Sequence, residues 1–341
     1  MLNKAYINLE VLRENALAIK SKLNAGVKFC AVVKSDGYGH GAPKVASAIY
    51  DLVDAYAVAL LEEAVELRLS GINKDVLVLI PFFEEDVERA VYYHLTATVY
   101  NKEQVDMLER EGERTKSRVK VHLKFNSGMN RQGVDGLENL ENLVKYICKC
   151  KWVELDGMYS HFAFPEHKKA KRLAENKFLL ANKVVKRYNN KATCHISASG
   201  GFLTGAQYDM VRIGLLLYGY KPFESDYVKV RPVMKVYANS LCQRELKKGE
   251  SALYGNFPAD GKTRISLIRY GYADGLPRKV SSGQFNNRCM DVTAVYGDLI
   301  KGEFPIMTDA DEVAKKYDTI SYEILVGVSR RAQKIYYDIK E

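Results

Sequence analysis

Short apolar runs alternate with amphipathic segments over the first two thirds of the chain. Period-two or fully apolar runs predict strands at 27–33, 55–60, 76–80, 95–99, 118–125, 153–160, 193–197 and 209–214. Helical spacing lies between them, at 9–24, 42–52, 61–70, 84–92, 101–112, 137–149 and 166–188, with a shorter segment at 200–206. Eight strands alternating with helices predict a (β/α)8 TIM barrel of the α/β class, with a doubly wound open sheet as the alternative.

The pattern changes after Tyr220. Short apolar runs at 227–230, 235–238, 264–268 and 334–337 predict strands, and only 310–317 and 322–328 have helical spacing. Strands with few helices between them are typical of a separate β-rich unit. We therefore expect a barrel over residues 1–224 and a smaller, mainly β domain over residues 225–341.

Composition and charge exclude several classes of protein. The 341 residues are 47% hydrophobic, which is enough for two cores, and neither a secretory leader nor a membrane span is expected from the apolar runs. The net charge of +9 is spread over 51 basic and 42 acidic residues, so nucleic-acid binding is not expected. Six scattered cysteines predict neither a disulfide framework nor a metal site. These features predict a cytoplasmic protein.

Lys34 ends the first predicted barrel strand. The five residues before it, 29–33, are all apolar, and three glycines follow within 37–41. Taken alone, Lys34 is read as a solvated lysine before a loop, but a barrel would place it on the catalytic face. A lysine there can react with an aldehyde if its neighbours lower its pKa. The amides of Gly214 and Leu215, just beyond the eighth strand, lie where barrels bind phosphate. An aldehyde-reactive lysine and a phosphate cup together suggest pyridoxal phosphate.

The segment Val32-Val33-Lys34-Ser35-Asp36-Gly37-Tyr38-Gly39-His40-Gly41 resembles the cofactor-attachment signature of the alanine racemase family. Further matches follow in family order at 124–131, 160–163, 211–214, 217–219, 254–255, 271–278, 289–291 and 319–323. This resemblance covers nearly the whole chain. It implies a pyridoxal 5'-phosphate enzyme that racemises alanine to supply D-alanine for peptidoglycan.

The resemblance also implies the catalytic residues. Lys34 would hold the cofactor covalently and act as one catalytic base, and Tyr254 would be the second base on the opposite face. A hydrogen bond from the position of His161 would support Tyr254, since a phenol ordinarily has a pKa near 10. Arg212 would face the pyridine nitrogen and keep it unprotonated, because a guanidinium does not release its proton at pH 7. That arrangement would limit side reactions.

The remaining site residues follow from the same resemblance. The phosphate would be held by Tyr38, Ser199, Gly214, Leu215 and Tyr322. The substrate carboxylate would be bound by Arg131 and the backbone of Met290, with Lys124 a candidate for carbamylation beside that arginine. Tyr254, Tyr272 and Met290 of one chain would lie over the cofactor of another. The expected assembly is therefore a homodimer with shared active sites.

Several positions depart from the family pattern. Asn126-Ser127 stands where Asp-Thr is usual, Ala198-Ser199-Gly200 where Asn-Ser-Ala is common, and Leu276 where a tyrosine is customary. The segment between Arg278 and Cys289 is also shorter than usual, so the β domain is trimmed. Two alternatives stay open: a racemase of serine or another small amino acid, and a non-catalytic pyridoxal phosphate carrier. Tyr254 argues against the carrier, whose single-domain relatives lack a second-domain tyrosine.

Overall fold

A computed structural model of the chain describes residues 3–254, 258–278, 287–297 and 299–338; Gly255 of the predicted Tyr254-Gly255 pair lies outside them. The first strand is β1 (Lys4–Asn8). Eight parallel strands follow: β2 (Lys28–Val32), β3 (Ala55–Val58), β4 (Asp75–Val78), β5 (Ala97–Val99), β6 (Val119–Lys124), β7 (Val153–Tyr159), β8 (Thr193–His195) and β9 (Met210–Ile213). Each overlaps one of the eight predicted barrel strands.

The eight parallel strands form two sheets of four. Their orders are β4-β3-β2-β9 and β5-β6-β7-β8. The two sheets meet between β4 and β5 and between β8 and β9. At the first junction Val78 N donates to Thr96 O at 3.0 Å, and at the second Arg212 N donates to Ser197 O at 2.9 Å. The predicted (β/α)8 barrel is confirmed, and the carboxyl ends of all eight strands lie on one face.

Helices alternate with the barrel strands, and each of them except the one at Lys34–Tyr38 overlaps a predicted helix. They are α1 (Leu9–Lys20), α2 (Lys34–Tyr38), α3 (Ala42–Ala48), α4 (Leu61–Leu69), α5 (Val87–Tyr92), α6 (Lys102–Thr115), α7 (Leu137–Ile147), α8 (Lys168–Tyr188) and α9 (Ser199–Leu203). Short 3-10 turns lie at Tyr50–Leu52, Glu84–Asp86 and Leu215–Tyr218. In α7 the buried residues are Leu140, Leu143, Val144 and Ile147, which is the stripe that helical periodicity predicts. None of the helices in the described part of the chain is long and apolar enough to cross a membrane.

The second domain is a sheet with two helices. Its strands are β10 (Met234–Leu246), β11 (Thr263–Ile268), β12 (Asn287–Arg288), β13 (Thr293–Tyr296), β14 (Glu303–Met307) and β15 (Gln333–Tyr337), and its helices are α10 (Ala310–Tyr317) and α11 (Ser321–Val328). A 3-10 turn covers Tyr272–Asp274. The strand predicted at 227–230 is wrong, because this segment is irregular and leads from the barrel into β10.

The first strand of the chain belongs to the sheet of the second domain. β1 pairs antiparallel with β10 and parallel with β15, in the sheet order β12-β13-β11-β10-β1-β15, and β14 also pairs with β10. The apolar pattern of the sequence did not predict β1. Asn8 ends β1 and caps α1, since its side chain accepts from Val11 N at 3.0 Å. The chain therefore passes from the second sheet directly into the barrel.

Candidate active site

Lys34 lies where the chain leaves the first barrel strand and enters a left-handed turn. Five consecutive residues, 35–39, have φ values between 52° and 80°. Gly37 N donates to Val33 O at 2.8 Å and Gly39 N donates to Ser35 O at 3.0 Å. A left-handed conformation costs roughly 1–2 kcal/mol for each residue that carries a side chain. The turn therefore needs contacts from elsewhere to persist.

The second domain of the same chain supplies those contacts. Ser329 Oγ, just after α11, donates to Gly39 O at 2.7 Å. Lys334 Nζ on β15 lies 2.7 Å from Asp36 Oδ2. A Cβ atom on Gly39 would lie only 2.4 Å from Leu325 O, so α11 packs directly on the turn backbone. The position of Lys34 is thus set by both domains.

A carboxylate from the next barrel unit completes the support of the turn. Glu63 Oε1 accepts from Ser35 N at 2.5 Å, and its Oε2 accepts from Ala59 N at 2.7 Å. Glu63 was not among the predicted site residues. In the sequence it is a glutamate in the first turn of a predicted helix, a common capping position that does not reveal a contact 28 residues away.

The five predicted phosphate ligands come together beside this turn. The rings of Tyr38 and Tyr322 are 5.9 Å apart, and a Cβ atom on Gly214 would lie 2.6 Å from Tyr38 Oη. Ser199 Oγ accepts long hydrogen bonds, 3.3 Å from Gly214 N and 3.5 Å from Leu216 N, and Leu215 lies between these two residues. Burial raises the pKa of Tyr322 to about 12, so its hydroxyl remains a donor. The result is a cup of hydroxyl groups and amides that suits a phosphate.

Arg212 lies on β9 and is fully buried. Its Nη2 donates to Ser160 O at 2.7 Å and lies 3.3 Å from His161 Nδ1, while its Nη1 donates to His195 Nδ1. The guanidinium lies over the ring of Tyr159, 5.0 Å from the centroid. Burial lowers the pKa of Arg212 to about 10, which still leaves it a cation at pH 7.

The cluster around Lys34 is strongly cationic. Burial, with Arg131 next, lowers the pKa of Lys34. Burial, followed by the charges of Arg131, Arg212 and Lys34, lowers the pKa of Lys124 to about 7. Lys124 is buried on β6, where its Nζ donates to Gln132 Oε1 at 3.3 Å, whereas Arg131 is exposed. A cluster of this charge favours an anionic ligand and a neutral, nucleophilic Lys34 amine.

The predicted site residues of the second domain, Tyr254, Tyr272 and Met290, lie at the surface of the chain and not in this cluster. Tyr254 follows β10 and its side chain is 81% exposed. Tyr272 and Met290 lie side by side, because Tyr272 N donates to Cys289 O at 3.1 Å and Ala273 N donates to Met290 O at 3.0 Å. Their exposed fractions are 39% and 53%. Within the described residues, the predicted hydrogen bond between Tyr254 and His161 is not formed in a single chain.

The barrel residues fit pyridoxal phosphate. Lys34 would present an amine to the aldehyde, the hydroxyl–amide cup would present donors to the phosphate, and Arg212 would present a fixed donor to the ring nitrogen. Any side chain at Gly214 would clash with Tyr38, so the cup is closely packed at this point. Because glycine has no side chain, the backbone amides here stay accessible to a phosphate.

Comparison with known proteins gives consistent matches along the whole chain. The family described as "Alanine racemase, N-terminal domain" matches residues 7–222, and "Alanine racemase, C-terminal domain" matches residues 233–336. An alanine racemase of Treponema denticola is 32% identical, with 98% of both chains covered, and "Alanine racemase 2" of Caldanaerobacter subterraneus is 33% identical, with 97% of this chain and 93% of the relative covered.

Solved structures of alanine racemases also superpose on this chain over nearly its whole length. An alanine racemase of Clostridium difficile 630 superposes with a TM-score of 0.93 at 29% identity, covering 100% of this chain and 97% of the other. The same protein in complex with cycloserine gives a TM-score of 0.90 at 28% identity, with the same coverage. With family models matching both halves and relatives matching nearly the whole chain, this chain belongs to the alanine racemase family, whose members depend on pyridoxal 5'-phosphate.

Proposed function

We propose that this protein is an alanine racemase that interconverts L-alanine and D-alanine. The observation that carries the proposal is the cluster at one barrel face, in which hydrogen bonds hold the turn beside Lys34, the phosphate cup and the cation of Arg212. Relatives named alanine racemase, which match this chain over almost their full length, support the proposal.

In this proposal Lys34 and Arg212 divide the barrel's part of the chemistry. Pyridoxal phosphate, when bound, withdraws electrons from the α-carbon of the amino acid and so acidifies its proton. Lys34 holds the cofactor and then takes or returns the α-proton on one face, which its lowered pKa favours. Arg212 donates to the ring nitrogen without giving up a proton, which moderates the electron withdrawal and limits side reactions.

Tyr254 serves as the base on the opposite face, supplied by a second copy of the chain. Its exposure, together with that of Tyr272 and Met290, supports a role at a surface that another subunit covers. In that setting His161, whose Nδ1 lies beside Arg212, would be hydrogen-bonded to the incoming phenol. An isologous dimer would then contain two equivalent shared sites.

The substrate carboxylate is assigned to Arg131, with Lys124 as a carbamylated neighbour. Carbamylation requires a neutral amine, and a pKa of about 7 leaves Lys124 largely neutral at slightly alkaline pH. The resulting anion would pair with the Arg131 guanidinium and orient it toward the substrate. The backbone of Met290 and the phenol of Tyr272 would close this end of the site.

We place this activity in the cytoplasm, where D-alanine would feed peptidoglycan precursors. The free thiols of Cys148 and Cys242 are exposed, which suits a reducing compartment.

The proposal is tested by incubating the purified protein and pyridoxal phosphate with each L-amino acid and separating the enantiomers chirally. We expect D-alanine to form fastest, and the Lys34→Ala variant to lose both racemisation and the visible absorbance of the lysine-bound cofactor. Lys44→Ala, at an exposed lysine on α3, is the matched control and should behave like the wild type. Faster turnover of serine, or cofactor bound without turnover of any amino acid, would overturn the proposal.

A further inference from the structure

A chain of hydrogen bonds runs from Arg212 through the barrel interior, away from the substrate side. Arg212 Nη1 contacts His195 Nδ1, His195 Nε2 lies 2.8 Å from His122 Nδ1, and His122 Nε2 lies 3.1 Å from Asp156 Oδ2. Arg212 and both histidines are buried, whereas Asp156 is half-buried. None of the roles implied by the alanine racemase resemblance uses Asp156, His122 or His195.

The donors and acceptors of this chain can be arranged in only one way. A guanidinium has no acceptor, so Arg212 donates and His195 Nδ1 must accept. His195 is neutral, its pKa being far below the usual range because of burial and then the Arg212 charge, so its single proton is on Nε2. That proton points at His122 Nδ1, which must accept as well. His122 is therefore also neutral and donates from Nε2 to the carboxylate of Asp156.

The strand next to His122 is shaped to receive this ring. The pairing of β6 with β7 shifts between Val121 and His122, where Val121 pairs with Leu155 and His122 pairs with Gly157. Asp156 is thus the extra residue of a β-bulge, a feature that re-aims a side chain. A Cβ atom on Gly157 would lie 2.7 Å from His122 Nε2 and 2.5 Å from Thr193 O. The Asp-Gly pair provides both the acceptor and the space for the imidazole.

We propose that Asp156, His122 and His195 are positioning residues that fix the orientation of the Arg212 guanidinium toward the cofactor ring. Each imidazole can donate in only one direction and Asp156 only accepts, so Arg212 Nη1 cannot rotate away without leaving His195 Nδ1 unpaired in the core, and a buried unpaired acceptor is costly. The ionised carboxylate at the far end selects the tautomers of both rings. The part of this inference that concerns the cofactor rests on the proposed racemase function.

The tautomers can be measured without any activity. In holoenzyme carrying 15N-labelled histidine, magic-angle-spinning NMR assigns each ring nitrogen as protonated or not, with His122→Gln and His195→Gln used only to assign the signals. We expect both rings to be neutral, with protons on Nε2. A proton on Nδ1 of either ring, or a cationic ring, overturns the proposal whatever reaction the enzyme catalyses.

The effect on the cofactor is measured with Asp156→Leu, which removes the acceptor, and Asp156→Glu, which keeps a carboxylate. In Asp156→Leu we expect kcat for racemisation to fall roughly tenfold, by analogy with outer residues that orient functional groups. The KM should stay nearly constant, and the ratio of transamination product to racemised product should rise. Asp156→Glu should restore part of kcat and of the product ratio.

The matched control is Asp75→Asn, at the start of β4, whose carboxylate pairs with Lys120 at 3.1 Å. It should leave the tautomers, kcat and the product ratio unchanged. A merely structural role for Asp156 would lower the amount of folded enzyme without changing the product ratio. An unchanged ratio in folded, cofactor-loaded Asp156→Leu would therefore overturn the proposal. Failure of the proposed function would instead abolish racemisation in the wild type, while leaving the NMR result intact.

Discussion

Arg212 is a buried cation whose side-chain donors are divided among imidazole nitrogens and backbone carbonyls. Its charge stays in the core because these acceptors replace water, and because the face of Tyr159 adds a cation–π contact. In the proposed site this permanently protonated side chain would face the pyridine nitrogen and would act oppositely to a carboxyl group, which can donate a proton to that nitrogen. The identity of this one residue should therefore control the fate of the substrate.

Replacing Arg212 by glutamate tests that control. Arg212→Glu supplies a carboxyl group that can protonate the ring nitrogen, so we expect slower racemisation and a new long-wavelength absorption band when alanine is added. Stopped-flow spectroscopy measures both. Arg118→Glu, at an exposed site, makes the same charge change and should leave the spectrum unaltered. A folded Arg212→Glu enzyme with a wild-type spectrum would contradict the assigned role.

Lys124 gives a prediction about stability. Its pKa is lowered from 10.5 to about 7 in the folded chain, chiefly by burial. Between these pH values the unfolded chain binds a proton that the folded chain has released, so this group makes stability rise with pH. Lys124→Met should therefore be more stable than the wild type at pH 7, and the difference should shrink as the pH approaches 10.5.

The measurement is urea unfolding of cofactor-free protein in carbonate-free buffer at pH 7 and pH 9.5. Lys44→Met, at an exposed lysine, is the control and should follow the wild type at both pH values. A constant difference in unfolding free energy between Lys124→Met and the wild type would mean that Lys124 titrates normally.

At the scale of single elements, the left-handed turn at 35–39 shows what a sequence pattern can and cannot predict. The apolar run before Lys34 and the glycines after it indicated a strand end and a close backbone approach, and both are present. The positive φ of Ser35, Asp36 and Tyr38 had no sequence signal, since these residues ordinarily avoid it. Contacts from α11, nearly 300 residues away, impose the conformation.

Gly39→Ala measures how much the turn depends on α11. Both Gly39, at φ 80°, and Gly26, at φ 81°, have a backbone that disfavours side chains, but only at Gly39 would Cβ meet another group, Leu325 O at 2.4 Å. Gly26→Ala should cost only the backbone strain, roughly 1–2 kcal/mol. Gly39→Ala should cost more and should also weaken cofactor binding, because Lys34 would move with the turn.

Thermal unfolding and titration with pyridoxal phosphate provide the two readouts. Equal losses of stability in Gly39→Ala and Gly26→Ala, with equal cofactor affinity, would mean that α11 does not hold the turn.

The regular helices and strands were predictable because their buried residues recur at the spacing of a helix or a strand, which is visible in the sequence. All eight barrel strands and the helices α10 and α11 lie where the apolar spacing places them. β1 was missed because Lys4–Asn8 is half polar and is a strand only through its long-range pairing with β10 and β15. The predicted site residues of the barrel lie close together because they follow barrel strands, whose carboxyl ends meet at one face. The sequence could not reveal Asp156 and His122, since a bulge sets their contact.

At the scale of the whole molecule, the exposed position of Tyr254 predicts that two chains build each site. Lys34→Ala and Tyr254→Phe, each inactive alone, should complement one another in mixed dimers, because one of the two sites would keep both bases. Statistical mixing makes half of the dimers mixed, with one intact site of two, so roughly a quarter of wild-type activity should return.

The measurement is the racemase activity of co-expressed, differently tagged chains, purified through both tags to verify the heterodimer. Every dimer purified in this way is mixed and has one intact site of two, so roughly half of wild-type activity is expected after purification, against a quarter in the unpurified mixture. Co-expressed Lys34→Ala and Lys34→Met chains are the control and should stay inactive. Verified heterodimers of the first pair without activity would mean that each site is built within one chain.

The pairing of β1 with β15 joins residues 4–8 to residues 333–337 in adjacent, parallel strands. During synthesis the barrel helices and strands leave the ribosome close to their own partners, but β1 must wait for β10 on one side and for β15 on the other. Pairings of such long sequence separation are slow to form. We therefore expect folding to proceed through a barrel intermediate with an unpaired amino-terminal strand, and closure of that strand to be the late, rate-limiting step. Until then the turn beside Lys34 lacks the contacts that follow α11 and lie on β15, so we expect cofactor binding to come after this closure.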